Sequence, residues 1–189
     1  MDTPPDAVTF DRALTLDDAR RLLARTPWVL DALLRDLPDS LVTANEGPGT
    51  WSPHDIVAHL SHGERTDWMP RVHHLLAHGA NLPFPPFDRE GHADASRGRP
   101  IADLLDEFAT LRAASLDDLA GLPLSDSDLD RPGLHPALGA VTLGQLIATW
   151  VTHDLDHLMQ VSRVLGRQYS TAVGPWRAYL RVVNGTAVQ

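Results

Sequence analysis

The sequence holds ten histidines, and spacing sets two of them apart. His153 and His157 stand four residues apart in a segment where Leu146, Trp150, Val161 and Val164 recur at helical spacing. Side chains at i and i+4 share one face of a helix. Two imidazoles placed there can take neighbouring positions on one metal ion. The shared apolar stripe turns them inward, where an unpartnered polar group costs on the order of 1–3 kcal/mol. A metal ion would offset that cost by taking a lone pair from each ring. Water or nearby carboxylates could do the same, so HxxxH alone leaves both readings open.

His59 is the third candidate ligand. It lies mid-helix on a face shared with Ile56, Leu60 and Gly63, in a different segment. Bundle cores build metal sites from facing helices in this way. Three histidines would leave positions open for water or substrate. Taken alone, a histidine on an apolar face reads as a core residue. His62 lies near His59 and could support it. Glu64 and Asp67 fall in the same region without a definite direction. Asp154 and Asp156 flank the pair and read as facing solvent or bridging to another helix. His73, His74 and His78 read as a solvated helix end, and Trp68 and Trp150 as core.

Composition narrows the chemistry. There is no cysteine, which removes thiolate ligands, disulfides and cysteine nucleophiles. All sixteen basic residues are arginine, which removes lysine Schiff-base chemistry. Any metal must therefore rest on His, Asp or Glu. His153 is followed by Asp-Leu-Asp, so the HExxH signature of zinc proteases is missing, as are a GxSxG elbow and a phosphate-binding glycine loop.

Four amphipathic helices must position these residues, and no segment reads as a clear strand. The first spans about Leu16 to Leu37, capped by Thr15, kinked at Pro27 and ended by Pro38. The second starts at Ser52-Pro53 and continues to about His78, bent at Pro70. The third spans Pro100 to Leu122, with Ile101, Leu104, Leu105, Phe108, Leu111, Ser115 and Leu119 inward. The fourth opens on a capping box of Thr142 and Gln145 and runs to about Leu165, with Gly166 as its stop. A short helix comes next, at about Pro175 to Val183. Gly79 to Arg99 is a long irregular stretch, read as a packed lid or a disordered loop. The linker Pro123 to Val141 is rich in Asp, Ser, Pro and Gly.

The length of 189 residues fits a single domain spanning 1–189, with 1–14 as an N-terminal tail and 79–99 as the long loop. The opening MDTPPDAVTFD has no apolar run and reads as no signal peptide. No stretch approaches the roughly 20 apolar residues that span a bilayer. With a net charge of -9 and scattered arginines, nucleic acid is not an expected partner. A small-molecule substrate and a cytoplasmic location are the expectations.

Two segments carry a family resemblance. Trp51-Ser52-Pro53-His54-Asp55-Ile56-Val57-Ala58-His59-Leu60 and His153-Asp154-Leu155-Asp156-His157-Leu158-Met159-Gln160-Val161 resemble the ligand regions of the DinB-like, or YfiT-like, metal-dependent superfamily. The approach His135-Pro136-Ala137-Leu138-Gly139 and the segment Val173-Gly174-Pro175-Trp176-Arg177 are similar to it too. The resemblance implies an all-α four-helix bundle of crossover topology with a short extra C-terminal helix. It implies a divalent metal, nickel or zinc, on His59, His153 and His157, and often a homodimer. Characterised relatives include thiol-dependent S-transferases and a mycothiol-dependent maleylpyruvate isomerase. The reading is therefore a metal-dependent enzyme, possible cofactors being the metal and a low-molecular-weight thiol. Alternatives are a metal-dependent hydrolase, a non-catalytic metal-binding or ligand-sensing bundle, and a bundle without metal.

Overall fold

A computed structural model describes residues 12–184; the first eleven residues of the expected tail lie outside the described residues. Four rods form the bundle. The first is α1 (Leu16–Leu23) followed by α2 (Thr26–Leu34). A single turn, α3 (Asp39–Val42), leads to the second rod, α4 (Pro53–Thr66) and α5 (Trp68–His78). After the short α6 (Ala93–Ser96), the third rod is α7 (Ile101–Gly121) and the fourth α8 (Leu143–Arg167). A 3₁₀ segment at Gly174–Tyr179 and the short α9 (Arg181–Asn184) replace the expected C-terminal helix.

Two proline rules explain the broken rods. A proline inside a helix lacks the N–H that would reach the carbonyl four residues back, and its ring clashes with that carbonyl. Four residues before Pro27 is Leu23, where α1 ends; four before Pro70 is Thr66, where α4 ends. The expected kinks are therefore full breaks, displaced one turn towards the N-terminus. The helix starts agree with the sequence reading. Thr15 accepts a hydrogen bond from the Asp18 amide, and Ser52–Asp55 and Thr142–Gln145 form reciprocal capping boxes.

The rods do not follow one another around the bundle. The first packs against the third and fourth, and the second also packs against the third and fourth. Consecutive rods one and two thus face each other across the core, which is the crossover arrangement. The long connections at 35–52 and 122–142 make these diagonal traverses. The second contains a feature not read as strand: β1 (Pro132–His135) pairs antiparallel with β2 (Gly139–Thr142), turning at Gly139 with φ 78°. That positive φ suits glycine, which has no Cβ to clash.

Gly166 is not the stop of α8, which continues to Arg167. A Cβ built at Gly166 would lie 2.9 Å from Val182 Cγ2 on α9. The glycine lets the terminal segment approach the helix closely. Gly166→Leu is expected to lower stability by about 1–3 kcal/mol through overpacking, more than the roughly 1 kcal/mol gained in helix propensity. A thermal midpoint at or above that of the wild type would refute this role.

The core is split in two. One apolar cluster gathers Leu16, Leu23, Val72, Leu119, Leu143 and Trp150; the other gathers Leu34, Ile56, Leu60, Leu104, Phe108 and Val161. Between them lies a buried charged layer of Glu64, Arg112 and Asp154. Arg112 Nη1 donates to Asp154 Oδ2 at 2.5 Å and to the Leu23 carbonyl at 2.8 Å, and Nη2 donates to Glu64 Oε1 at 2.8 Å and Asp154 Oδ1 at 3.0 Å. The Leu23 carbonyl is available because Pro27 has no N–H to offer it. Trp150 Nε1 also donates to Glu64, at 3.1 Å. Burial opposes the Arg112 charge, but Asp154 and Glu64 more than offset it and hold its pKa above the ordinary value.

Candidate metal centre

α4 supplies His59 and α8 supplies His153 and His157, and the charged layer fixes α8 against its neighbours one residue from His153. The His153 Nε2 lies 3.3 Å from His59 Nε2 and 3.1 Å from His157 Nε2. One ring nitrogen from each of the three lies within 4.8 Å of the others. His59 and His157 are buried and His153 is half-buried.

The rings are held in the form that binds cations. Burial, followed by the charges of His157, His153 and His92, pushes the His59 pKa down to about 2. Burial, followed by His157, Arg112 and Arg89, takes His153 down to about 3. Burial also lowers His157, against the hydrogen bond to Gln160. Gln160 Oε1 accepts from His157 Nδ1 at 2.8 Å, which leaves the Nε2 lone pair facing the centre. Gln160 thus orients the His157 ring, a supporting role for which the sequence reading offers His62.

Neutral rings that refuse protons couple stability to pH. Below the ordinary value of 6.5 the unfolded chain gains protons that the folded site does not accept. Stability is therefore complete above about pH 6.5 and falls as pH drops towards the folded values. For His59 alone the loss at pH 5 in metal-free protein is expected to be about 2 kcal/mol. Urea midpoints at pH 7.5 and 5 measure it, and His59→Leu should remove that share. The same pH dependence in the variant would mean that His59 titrates normally.

The three nitrogens face a cavity of about 610 Å³. Its wall includes Trp51, Asp67, Trp68, Phe87 and Arg89. The Trp51 ring lies 4.5 Å from His59 and stacks on His157 at 6.0 Å, and Trp68 stands edge-on to His153 at 5.1 Å. Arg163 also lines it, but is committed to Glu46 at 2.9 Å. The Gly79–Arg99 stretch forms part of the wall and is anchored. Phe84 is buried with its amide on the Leu134 carbonyl, His62 Nε2 donates to the Asp88 carbonyl at 2.9 Å, and buried His92 packs on Trp51 and His59. His62 therefore secures this stretch instead of His59. Phe87 and Arg89 hang from it into the cavity.

The other expectations sort themselves by burial. Asp154 bridges to α7 through Arg112, whereas Asp156 is exposed. His73 pairs with Asp118 at 2.8 Å, and His74 lies against His78, both away from the three-histidine centre. Trp68 and Trp150 are core residues stacked on each other at 5.8 Å, though Trp68 also reaches the cavity. Leu111 is only half-buried; Arg112 takes the inward place on α7.

The sequence matches the DinB superfamily over residues 22–161. The chain belongs to this superfamily. No curated protein matches it. Among solved structures, the DinB-superfamily bundle here is similar to YfiT from Bacillus subtilis, at 18% identity and TM-score 0.69 over 88% of this chain and 93% of that one. That protein is described as a probable metal-dependent hydrolase with an unusual four-helix bundle topology. At this identity the likeness establishes the fold. Among the described residues no helix is long and apolar enough to cross a membrane.

The donor set fits a divalent ion. Ligand nitrogens bound about 2.0–2.1 Å from a tetrahedral ion stand roughly 3.3–3.4 Å apart. The separations of 3.1 and 3.3 Å between His153 and its two neighbours are close to that spacing. Close approach of three neutral imidazoles through their Nε2 atoms otherwise needs shared protons. Of the buried charged layer, Arg112 acts on His153 as a positive charge and Asp154 acts on His157 as a negative one.

Proposed function

We propose that His59, His153 and His157 hold a divalent metal ion, zinc or nickel, and that the protein is a metal-dependent enzyme acting on small molecules. The observation that carries this reading is the convergence of three neutral imidazoles on a 610 Å³ cavity, with no carboxylate among the described residues joining the ligand cluster to close the remaining position. An open position distinguishes catalytic from structural sites. Bound there, the ion supplies charge that lowers the pKa of an incoming thiol or water towards neutrality.

The chain's own residues prepare that site. Burial keeps the ligand rings unprotonated, Gln160 fixes the His157 tautomer, and Trp51, Trp68 and Phe87 restrict water. The chain has no cysteine, so a thiol nucleophile must come from outside. In the reaction we favour, the sulfur of a low-molecular-weight thiol such as bacillithiol or mycothiol bonds to an electrophilic carbon. The leaving group departs with its electron pair, and the thiol proton goes to solvent. The description of YfiT favours a second reading, hydrolysis, in which water takes the place of the thiol.

Tag-free protein should retain close to one equivalent of metal. At a free metal concentration 100 times the Kd, binding should stabilise the fold by about 2.7 kcal/mol. Metal-loaded protein is then assayed with each thiol and an activated aryl halide or epoxide, and with activated esters and amides in water. Turnover that disappears with chelator and returns with metal supports the proposal. Metal that stabilises the fold without turnover of any pair would make it a structural ion.

A further inference from the structure

Asp67 lies in the wall of the same cavity, apart from the histidines. It occupies the break that Pro70 forces between α4 and α5, with φ -118° and ψ -67°. Its amide donates to the Gly63 carbonyl at 2.9 Å and its carbonyl accepts from the Arg71 amide at 3.0 Å, so its backbone is fully used. Its side chain is not. Aspartate is a strong N-cap residue, yet this carboxylate makes no capping bond to α5. Oδ1 lies 2.7 Å from Arg71 Nε, but both atoms are buried without a partner in hydrogen-bond geometry. The other oxygen has no partner among the described residues. The residue is only 6% exposed.

The surroundings have the form of a binding pocket. Asp67, Gly63 and Trp68 line the cavity together. A Cβ at Gly63 would come within 3.2 Å of Trp68 Nε1, so the glycine keeps space open beside the indole. Trp68 Nε1 is itself buried without a partner. Burial raises the Asp67 pKa, with Arg71 and His62 opposing. Asp67 is not among the charges that act on His59, His153 or His157. Buried polar groups are normally satisfied, and exceptions in a cleft mark binding sites.

We propose that Asp67 is the hydrogen-bond acceptor of a second ligand subsite, taking a hydroxyl or amide N–H from the small molecule whose reacting end lies at the histidines. The donor is neutral because Arg71 already supplies the countercharge to this carboxylate; a second cation would meet the guanidinium. The ligand class is thus an alcohol, polyol, sugar or amide. This rests on the cavity being the reaction site, but not on the metal being bound.

The test uses 1,4-butanediol and its donor-free counterpart 1,4-dimethoxybutane. Each is titrated into the full chain while the Trp68 indole ¹H–¹⁵N signal, assigned with W68F, is followed. The diol should bind about tenfold more tightly than the diether, the size of one hydrogen bond to a carboxylate. D67N should reduce that ratio and D67A/R71A, which leaves no unpaired buried cation, should bring it to about one. Equal binding of both probes, binding of neither, or an unchanged ratio in D67A/R71A overturns the proposal. Metal content is measured on the same samples. A site that binds metal without preferring the diol sinks the subsite alone; a preference without metal sinks the metal reading alone.

Discussion

Arg112→Met is expected to cost about 3–5 kcal/mol of folding stability, a large part of the whole for a domain of this size. The guanidinium is 1% exposed and holds Glu64 and Asp154, both buried, on two different rods. It also takes the Leu23 carbonyl that Pro27 leaves without a donor. Methionine fills similar volume but strands two carboxylates and a carbonyl between apolar clusters. The penalty comes from the groups left behind, more than from the lost attraction. A triple variant, Arg112→Met with Glu64→Gln and Asp154→Asn, should recover part of the loss because no buried charge remains. Urea unfolding measures both: the midpoint should fall in the single variant with little change in slope. A loss below about 1 kcal/mol would mean that the layer is hydrated in solution.

The sequence carries more of this layer than a reading by apolar residues extracts. On α7 the buried positions are Ile101, Leu104, Leu105, Phe108, Arg112, Ser115 and Leu119. Their spacing is regular and includes Arg112; Leu111, three residues after Phe108 and four before Ser115, fits the same period, so hydrophobicity alone favours it over Arg112. The three candidate ligands and the helix caps are legible because each is local, set by spacing of three or four residues. Gln160 is legible in the same sense, three residues after His157. The rod breaks are half legible: proline identifies the break, but its position is set by the carbonyl four residues earlier.

Other features depend on contacts that no local pattern encodes. Gly166 looks like a helix stop until Val182 is seen against it. The four-residue strands around Gly139 are too short, and too rich in proline and glycine, to show alternation. Rod order, with the first and second rods diagonal, is a property of packing. Trp51, Asp67 and Arg89 meet around one cavity from three separate segments, and nothing in their individual spacing announces it.

His153→Ala is expected to weaken metal binding by more than about 100-fold, exceeding the 10–100-fold typical of losing a residue that only supports a ligand. His153 is the candidate ligand to choose because its Nε2 approaches both of the others, at 3.1 and 3.3 Å. Gln160→Leu should fall within the smaller range, since it frees the His157 tautomer without removing a nitrogen. His73→Ala, on the exposed pair with Asp118, should leave affinity unchanged and so controls for adventitious binding by a histidine-rich chain. Isothermal titration of tag-free, chelator-treated protein with zinc or nickel gives all four affinities. The rival arrangement is a metal-free cluster in which ring N–H groups share protons across the short nitrogen contacts. It fits the same separations of 3.1 and 3.3 Å. The two arrangements respond differently to the loss of one ring. A proton-sharing cluster would bind less than about a tenth of an equivalent in the wild type, a threshold set by adventitious metal. His153→Ala would then change stability and leave metal content where it was.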